Sequence, residues 1–463
     1  GRTRANADHR TRVAPDASQA GPAGMSLVMP TRILVVGGGG REHALAWKLA
    51  GEPGVNDVLV APGSAGIAEE PRVSVVPDVA ASSIASLVDL ARSSASELVV
   101  VGPEAPLADG LADALIEAGV PVFGATRAAA EIEWSKAFCH EVAAAAGVRM
   151  ASADVCTTRA EAERTARRID ATGSGIVIKE DGLAAGKGVS VLDPGADASG
   201  LLDEVYRLGD GPRIVIEERL YGPEASVIAV CDGVRAIALP VARDHKRLSD
   251  GDRGPNTGGM GAYSPVPEVA EADVEAILDE VHRPILAELA RRGRPFRGFL
   301  FAGLMLTDGG PVLLECNARL GDPETQVMLP LLGGALGPVL LAAARGALPS
   351  ALPARLPTLP GVAVGVVLAG RTYPAGPSAG DVIAGIGDAR ALGALVFHAG
   401  TARAADGWAT NGGRILTVVG RGADIHAARA VAERGADAIA FPGAQRRHDI
   451  GLVTPARTEA LVR

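Results

Sequence analysis

The sequence predicts an α/β protein of three domains: an N-terminal doubly wound parallel sheet, a larger central α/β domain, and a small C-terminal β-rich domain. Three observations predict it. Short runs of Val, Ile and Leu alternate with apolar-periodic helical stretches through the first 124 residues, as parallel strands with crossover helices require. A chain of 463 residues exceeds one ordinary core, so two to four domains are expected. Four prolines, Pro349, Pro353, Pro357 and Pro360, crowd one short stretch and mark a linker.

Residues 1–29 show no apolar periodicity and are expected to be a disordered extension, with the working chain starting at Met25 or Met29. The first strand is Ile33-Leu34-Val35-Val36, followed by Gly37-Gly38-Gly39-Gly40 and a helix from about Glu42. Strands at 58–60, 98–102 and 120–123 complete an N-terminal domain over 30–132. The central domain, 133–350, opens with a helix near 136–146. Strands are expected at 176–179, 188–192, 214–218, 224–231, 298–307 and 311–318, with a helix near 269–291. Between them lies a long polar, Gly-rich loop at 244–263. A linker at 351–360 leads to the C-terminal domain, 361–463, with strands near 362–368, 395–398 and 414–419.

Composition excludes several classes. The net charge of −9, the lack of a long basic run and an aromatic content of 3% argue against nucleic-acid binding. The uncharged run 327–344 approaches membrane-spanning length. It holds Pro330, Gly333, Gly334, Gly337 and Pro338, and reads as a buried helix with its preceding turn. Cys139, Cys156, Cys231 and Cys316 form no Cys-x-x-Cys pair, which fits a reducing, cytoplasmic setting and argues against zinc or a disulfide framework.

The chemistry concentrates in Glu315-Cys316-Asn317-Ala318-Arg319. Two residues apart on a strand, Glu315 and Asn317 share a face. A carboxylate beside an amide oxygen suits a hard cation such as Mg²⁺. Arg319 would be next on that face if the strand continues, and a metal beside a guanidinium handles phosphoryl groups. Alone, Glu-x-Asn reads more readily as a solvated strand end followed by a turn.

Other segments tilt the balance. The Gly37–Gly40 loop fails the Gly-x-Gly-x-x-Gly rule, because Glu42 stands at the third glycine position, where an acid would spoil helix–strand packing and repel a pyrophosphate. It can still offer backbone N–H groups to one phosphate, with Arg41 assisting. Gly182-Leu183-Ala184-Ala185-Gly186-Lys187-Gly188 has three residues where a Walker loop has four, lacks the following Ser or Thr, and lies between strands. It reads as a glycine hairpin able to fold over phosphates, with Lys179 and Lys187 supplying charge. Ile216-Glu217-Glu218-Arg219-Leu220, with Glu224 beyond, is an apolar strand running into acids that could hold an adenosine. The 244–263 loop carries Asp244-His245-Lys246-Arg247, Asn256 and Gly258. A long loop of mixed charge in a compact enzyme is usually functional.

Taken together these segments resemble the ATP-grasp ligases, and within them the phosphoribosylamine–glycine ligase family. The carrying motifs include Gly39-Gly40-Arg41-Glu42-His43-Ala44, Val101-Gly102-Pro103-Glu104, Ser135-Lys136-Ala137-Phe138 and Asp181 to Gly188. Further along come Asp244-His245-Lys246-Arg247, the stretch 254–265, Gly321-Asp322-Pro323-Glu324-Thr325-Gln326, Thr410-Asn411-Gly412-Gly413-Arg414 and Asp449-Ile450-Gly451. The resemblance implies an ATP-grasp central domain with a hairpin-bearing lid over about 150–223. It implies ligation of glycine to 5-phosphoribosylamine with ATP and Mg²⁺ (or Mn²⁺), in purine biosynthesis, by a monofunctional cytoplasmic monomer. It assigns the metal to Glu315 and Asn317, and the nucleotide to Lys136, Lys179, Gly182, Gly186, Lys187, Gly188, Glu217, Glu218, Leu220 and Glu224. Arg319 and Lys246 become the catalytic candidates. Asp244, Asn256, Gly258 and Asp322 are expected near glycine and its acyl phosphate, and Gly40, Arg41, Glu42, Ser64 and Glu104 near the phosphoribosyl group.

Overall fold

The structure is a computed structural model that describes residues 27–182, 188–405 and 407–452. Its first sheet is five-stranded and parallel: β1 (Arg32–Gly37), β2 (Asp57–Pro62), β3 (Val73–Val75), β4 (Leu98–Val101) and β5 (Val122–Phe123), in the order β3-β2-β1-β4-β5. The side chains of β1 alternate between two cores, Ile33 and Val35 in one, Leu34 and Val36 in the other, because helices cover both faces. Strand order reverses between β1 and β4, so the loops after those two strands flank a crevice at their carboxyl ends, the place where open α/β sheets bind ligands.

Two antiparallel sheets follow. The smaller contains β6 (Ala153–Cys156), β7 (Ile176–Glu180), β8 (Val189–Leu192) and β9 (Ile214–Glu218), ordered β6-β9-β7-β8. It has its own small core of Cys156, Ile169, Ile176, Ile178, Leu202 and Ile216. The larger contains β10 (Glu224–Asp232), β11 (Ala236–Ala238), β16 (Arg297–Thr307) and β17 (Gly310–Asn317), ordered β11-β10-β16-β17.

The 244–263 stretch is more ordered than a loop. It holds β12 (Arg243–Asp244), a hairpin of β13 (Arg247–Ser249) and β14 (Arg253–Asn256), and β15 (Gly261–Ser264). Strands β12 and β15 join β18 (Val362–Ala369), β23 (Arg414–Gly422) and β20 (Leu395–His398) in one sheet. The last sheet is β19 (Ser378–Ile383), β22 (Gly407–Gly412) and β21 (Thr401–Ala404). The expected helix near 269–291 is interrupted: Glu271–Ile277 and Arg283–Arg291 are α-helical, and Leu278–His282 between them forms a π-turn. The Pro-rich stretch is strapped down: Ala238 N–H donates to Ala354 O and Leu356 N–H to Ala238 O. Run 327–344 divides into a short helix end, a 3₁₀ turn at Leu329–Leu331 and a helix at Gly337–Ala344. No helix among the described residues is long and apolar enough to cross a membrane.

Candidate active site

Strand β17 carries the centre of the site. Its register against β16 slips between Gly303 and Leu304, pairing Gly303 with Glu315 but Leu304 with Leu313. Leu314 is the extra residue of a β-bulge, and such bulges re-aim nearby groups. The Leu314 carbonyl accepts a hydrogen bond from Lys179 Nζ at 2.8 Å. Beyond the bulge Glu315 and Asn317 keep their two-residue spacing. Lys136 Nζ lies 3.7 Å from Glu315 Oε2, and Lys246 Nζ 3.6 Å from Glu315 Oε1. These separations exceed a hydrogen bond. Burial opposes the Glu315 charge, but Lys246, Lys136, Lys179 and Arg319 outweigh it and hold the carboxyl well below the usual range. Asn317 is 6% exposed, and no hydrogen bond among the described residues engages its side chain. No group of three or more His, Cys, Asp or Glu gathers at a metal-binding point among those residues. An ionised carboxylate with an amide oxygen therefore fits a cation that takes its remaining oxygens from phosphates and water, as Mg²⁺ does.

The smaller sheet meets this strand through Lys179. Its ammonium lies 2.8 Å from Glu217 Oε1, and that oxygen is also 2.8 Å from His140 Nε2. Glu217, expected beside an adenosine, is 2% exposed and anchors Lys179. Burial opposes its charge, yet Lys179 and His140 lower its titration. Glu218 Oε1 accepts Ser152 N–H at 3.1 Å, and Leu220 lies in the turn between β9 and β10. Glu224 opens β10 and reaches Lys246 Nζ at 3.4 Å. Lys246, between Glu224 and Glu315, is held charged to high pH. Gly182 and Gly188 flank the hairpin tip and Glu180 N–H donates to Gly188 O, while Gly186 and Lys187 lie outside the described residues. Glu180 is exposed and turned away from Lys179, as strand alternation requires.

The crevice of the first sheet faces the same place. The helix Gly40–Ala50 starts at the end of β1, and Glu42 folds back as its cap: Oε2 accepts Gly39 N–H at 2.7 Å and Oε1 accepts Arg41 Nε at 2.6 Å. This corrects the expectation that an acid spoils the packing here. Glu42 is accommodated because Gly37 and Gly102 leave its carboxylate room; a Cβ at Gly102 would sit 2.2 Å from Glu42 Oε1. Ser64 Oγ accepts Ile67 N–H at 3.4 Å and starts a 3₁₀ turn. β17 ends at Asn317, so strand alternation does not place Arg319. Its guanidinium is set by two acids instead, Glu133 Oε1 at 3.1 Å and Glu104 Oε2 at 3.4 Å.

On the fourth side, Asp322 Oδ1 accepts Gln326 Nε2 at 2.7 Å, and Arg414 Nη2 lies 3.3 Å from Asp322 Oδ2. Arg414 Nη1 also donates to Gly258 O and Asp322 O. Asp244 Oδ1 is buried with no hydrogen-bond partner. Burial first, then Glu324, pushes the Asp244 carboxyl up. Asn256 Nδ2 reaches Val189 O of β8 at 3.5 Å. The residues the sequence reading left out are the partners: Glu133 behind Arg319, His140 behind Glu217, Arg414 behind Asp322, and Glu324 beside Asp244. Arg414 and Glu324 stand inside conspicuous motifs and were findable there. Glu133 and His140 stand in helical stretches where nothing distinguishes them from surface polar residues.

A small antiparallel sheet, a larger one with a carboxylate–amide pair ringed by lysines, and a parallel sheet opening onto the same space define an ATP-grasp enzyme. Models of the phosphoribosylglycinamide synthetase N domain, ATP-grasp (A) domain and C domain match residues 31–133, 134–325 and 363–453. The chain is 46% identical to a phosphoribosylamine–glycine ligase of Allochromatium vinosum, across 91% of this chain and 98% of that one. It is also 46% identical to one of Streptomyces coelicolor, across 90% and 98%. A solved phosphoribosylamine–glycine ligase of Thermotoga maritima superposes with a TM-score of 0.74 at 33% identity, covering 90% of this chain and 99% of that one. The chain belongs to the phosphoribosylamine–glycine ligase family.

Proposed function

We propose that this protein joins glycine to 5-phosphoribosylamine, converting ATP to ADP and phosphate and giving glycinamide ribonucleotide, a step of purine biosynthesis. The observation that carries the reading is the Glu315 carboxylate, kept ionised between Lys136 and Lys246, with Arg319 beside it reaching Glu104 of the parallel-sheet domain. A carboxylate is a poor acyl donor. Transfer of the γ-phosphoryl group of ATP to a glycine oxygen makes glycyl phosphate. The amine of phosphoribosylamine then attacks the glycyl carbon, phosphate leaves, and the amine loses a proton. Such chemistry depends on positioning and charge neutralisation.

Lys136, Lys179 and Lys246 bring three ammonium groups to the side of β17 where phosphates would lie, and Lys187 would add a fourth from the hairpin. Arg319 takes the developing charge on the acyl phosphate. Asp244 and Asp322 offer carboxyl oxygens to the glycine ammonium, with Asn256 and Gly258 beside them. Gly40, Arg41, Glu42, Ser64 and Glu104 line the crevice that receives the phosphoribosyl group. Glu315 and Asn317 would hold Mg²⁺ or Mn²⁺, which supplies phosphate charge neutralisation and alignment when bound. A coupled ADP-release assay tests the reading, with glycine and freshly made phosphoribosylamine each omitted in turn. ADP release should require glycine and should collapse in Glu315→Gln while the circular dichroism spectrum is kept. Turnover at the wild-type rate in Glu315→Gln, or ADP release indifferent to glycine, removes the proposal.

A further inference from the structure

Near the end of the described chain lies a motif with no role in the site above, Arg446-Arg447-His448-Asp449. Among the described residues Arg447 is the largest fully buried side chain, at 1% exposure. A guanidinium so enclosed must be paired to be tolerated. Its Nε and Nη2 engage Asp449 at 2.7 and 2.6 Å, a bidentate fork. Its remaining arm leaves the C-terminal segment: Nη1 donates to Asp252 Oδ1 at 2.6 Å and to Arg247 O at 3.2 Å. Both acceptors belong to the β13–β14 hairpin, which starts directly after His245-Lys246.

The rest of the segment grips the same hairpin. Gly251 N–H donates to Asp449 Oδ2 at 2.8 Å, and His448 N–H to Asp250 Oδ1 at 2.7 Å. His448 Nδ1 lies 3.3 Å from Asp250 Oδ2. So three consecutive tip residues, Asp250, Gly251 and Asp252, each take a polar contact from 447–449. The tip needs holding, because Asp252 adopts φ +53°, a left-handed conformation that an L side chain seldom takes. The contact continues inward, since Asp252 Oδ1 is 3.9 Å from His245 Nδ1. His245 is fixed on both sides by the backbone, its N–H donating to Gly261 O and its C=O accepting Met260 N–H. Asp244 and Lys246, its chain neighbours, face the site.

We propose that the Arg447–Asp449 segment is a clasp that positions the Asp244–Lys246 segment, so that the C-terminal domain sets the placement of Lys246 against Glu315 without touching substrate. Arg447 is a positioning residue, acting through Asp252 and the Arg247 carbonyl. The inference rests on the reading that Lys246 and Asp244 serve ligation. Asp252 has an exposed side chain (68%), so Asp252→Asn weakens the clasp with little threat to folding.

The experiment compares Asp252→Asn, Arg447→Met, the double variant and Lys246→Met, measuring kcat, KM for glycine, KM for ATP and the melting midpoint. Each clasp variant should lose glycine-dependent turnover by roughly 10- to 100-fold, the scale of an ångström-level misplacement. KM for ATP should rise by less than turnover falls, since two of the three lysines that face the phosphates, Lys136 and Lys179, are untouched. The double variant should be no worse than Arg447→Met, because both changes break one connection. Wild-type turnover in Asp252→Asn and Arg447→Met, with Lys246→Met inactive, overturns the clasp alone. So does a general loss in which KM for ATP, KM for glycine and melting move together and the two changes add. Full turnover in Lys246→Met overturns the site reading, and the clasp with it.

Discussion

Arg319 shows how much of this site is decided by a side chain's partners. Its guanidinium bridges Glu104, from the parallel-sheet domain, and Glu133, from the helix preceding Lys136, and its Nη1 donates to Leu320 O at 3.2 Å. Burial works against its charge, but Glu133 and Glu104 prevail and keep it protonated at any working pH. Glu133 is the reciprocal case: burial pushes its carboxyl up despite Arg319, so its ionisation depends on that guanidinium. A planar fork can serve two carboxylates and still present an edge, whereas an ammonium cannot span them. Arg319→Lys is therefore expected to lower kcat/KM for glycine by roughly tenfold or more, an effect of geometry with the charge retained. Steady-state kinetics on the purified variant give the answer, and unchanged kcat/KM would mean that only charge matters at 319. Glu315 is the complementary residue, an acid whose value lies in remaining ionised among cations. Its identity and its neighbour Asn317 were legible in the sequence, because a two-residue spacing on a strand fixes a common face whatever surrounds it.

At the scale of elements, the helix Gly40–Ala50 carries a prediction. Glu42 caps it from within, and the fit depends on Gly102, at the end of β4. A methyl group there would press on Glu42 Oε1 and Cγ, at 2.2 and 2.6 Å, so Gly102→Ala must displace the carboxylate. The Gly39 N–H and Arg41 would lose their partner together. The expected result is a KM for phosphoribosylamine raised several-fold and a stability loss of about 1 kcal/mol from the broken cap. Denaturant unfolding and substrate titration measure the two effects, and a variant with both unchanged would show that Glu42 is not needed as a cap. The same element marks where reading the sequence runs out. Strand periodicity gave β1, β4, β16 and β17 nearly to the residue, since buried strands are short apolar runs. The meaning of Glu42 was inverted, because its acceptability depends on a glycine 60 positions away in the sequence. The bulge at Leu314 left no local trace, as it exists only in the register between two strands. The 244–263 stretch reads as a loop in sequence because its strands are only two to four residues long, and the one pairing that ties it into a larger sheet, β15 with β18, is with a strand about 100 positions away.

For the whole molecule, the domains lock through buried polar contacts. His398, at the end of β20, donates its N–H to His43 Nδ1 of the first helix at 2.8 Å, and the two rings stack with centroids 5.6 Å apart. At the solvent-exposed rim of the same boundary, Glu69 receives Arg390 and Arg403. Burial, with His43, Arg390 and Arg403 adding to it, pushes His398 down to about 3. His282, at the end of the π-turn, is likewise enclosed; burial pushes it down to about 4, although Val227 O accepts its Nε2 hydrogen at 3.2 Å. An unfolded histidine titrates near 6.5. Between that value and the folded one the unfolded chain binds more protons, so each histidine's contribution is complete above about 6.5 and is lost as pH falls towards the folded value, about 4 for His282 and about 3 for His398. The carboxyls of Asp244, Glu324 and Glu133 titrate above their ordinary range and act in the opposite sense, which makes the wild-type profile a sum of opposing slopes. A difference between two proteins isolates one histidine. In His282→Gln the amide can still donate to Val227 O, but the protonation is gone. Its unfolding free energy should fall less steeply than the wild type's between pH 6.5 and 5, by about 1 kcal/mol per pH unit on average. Urea unfolding of both proteins across that range reads the difference. Parallel curves would mean that His282 takes up its proton without unfolding, and that the π-turn opens enough to admit water to the ring.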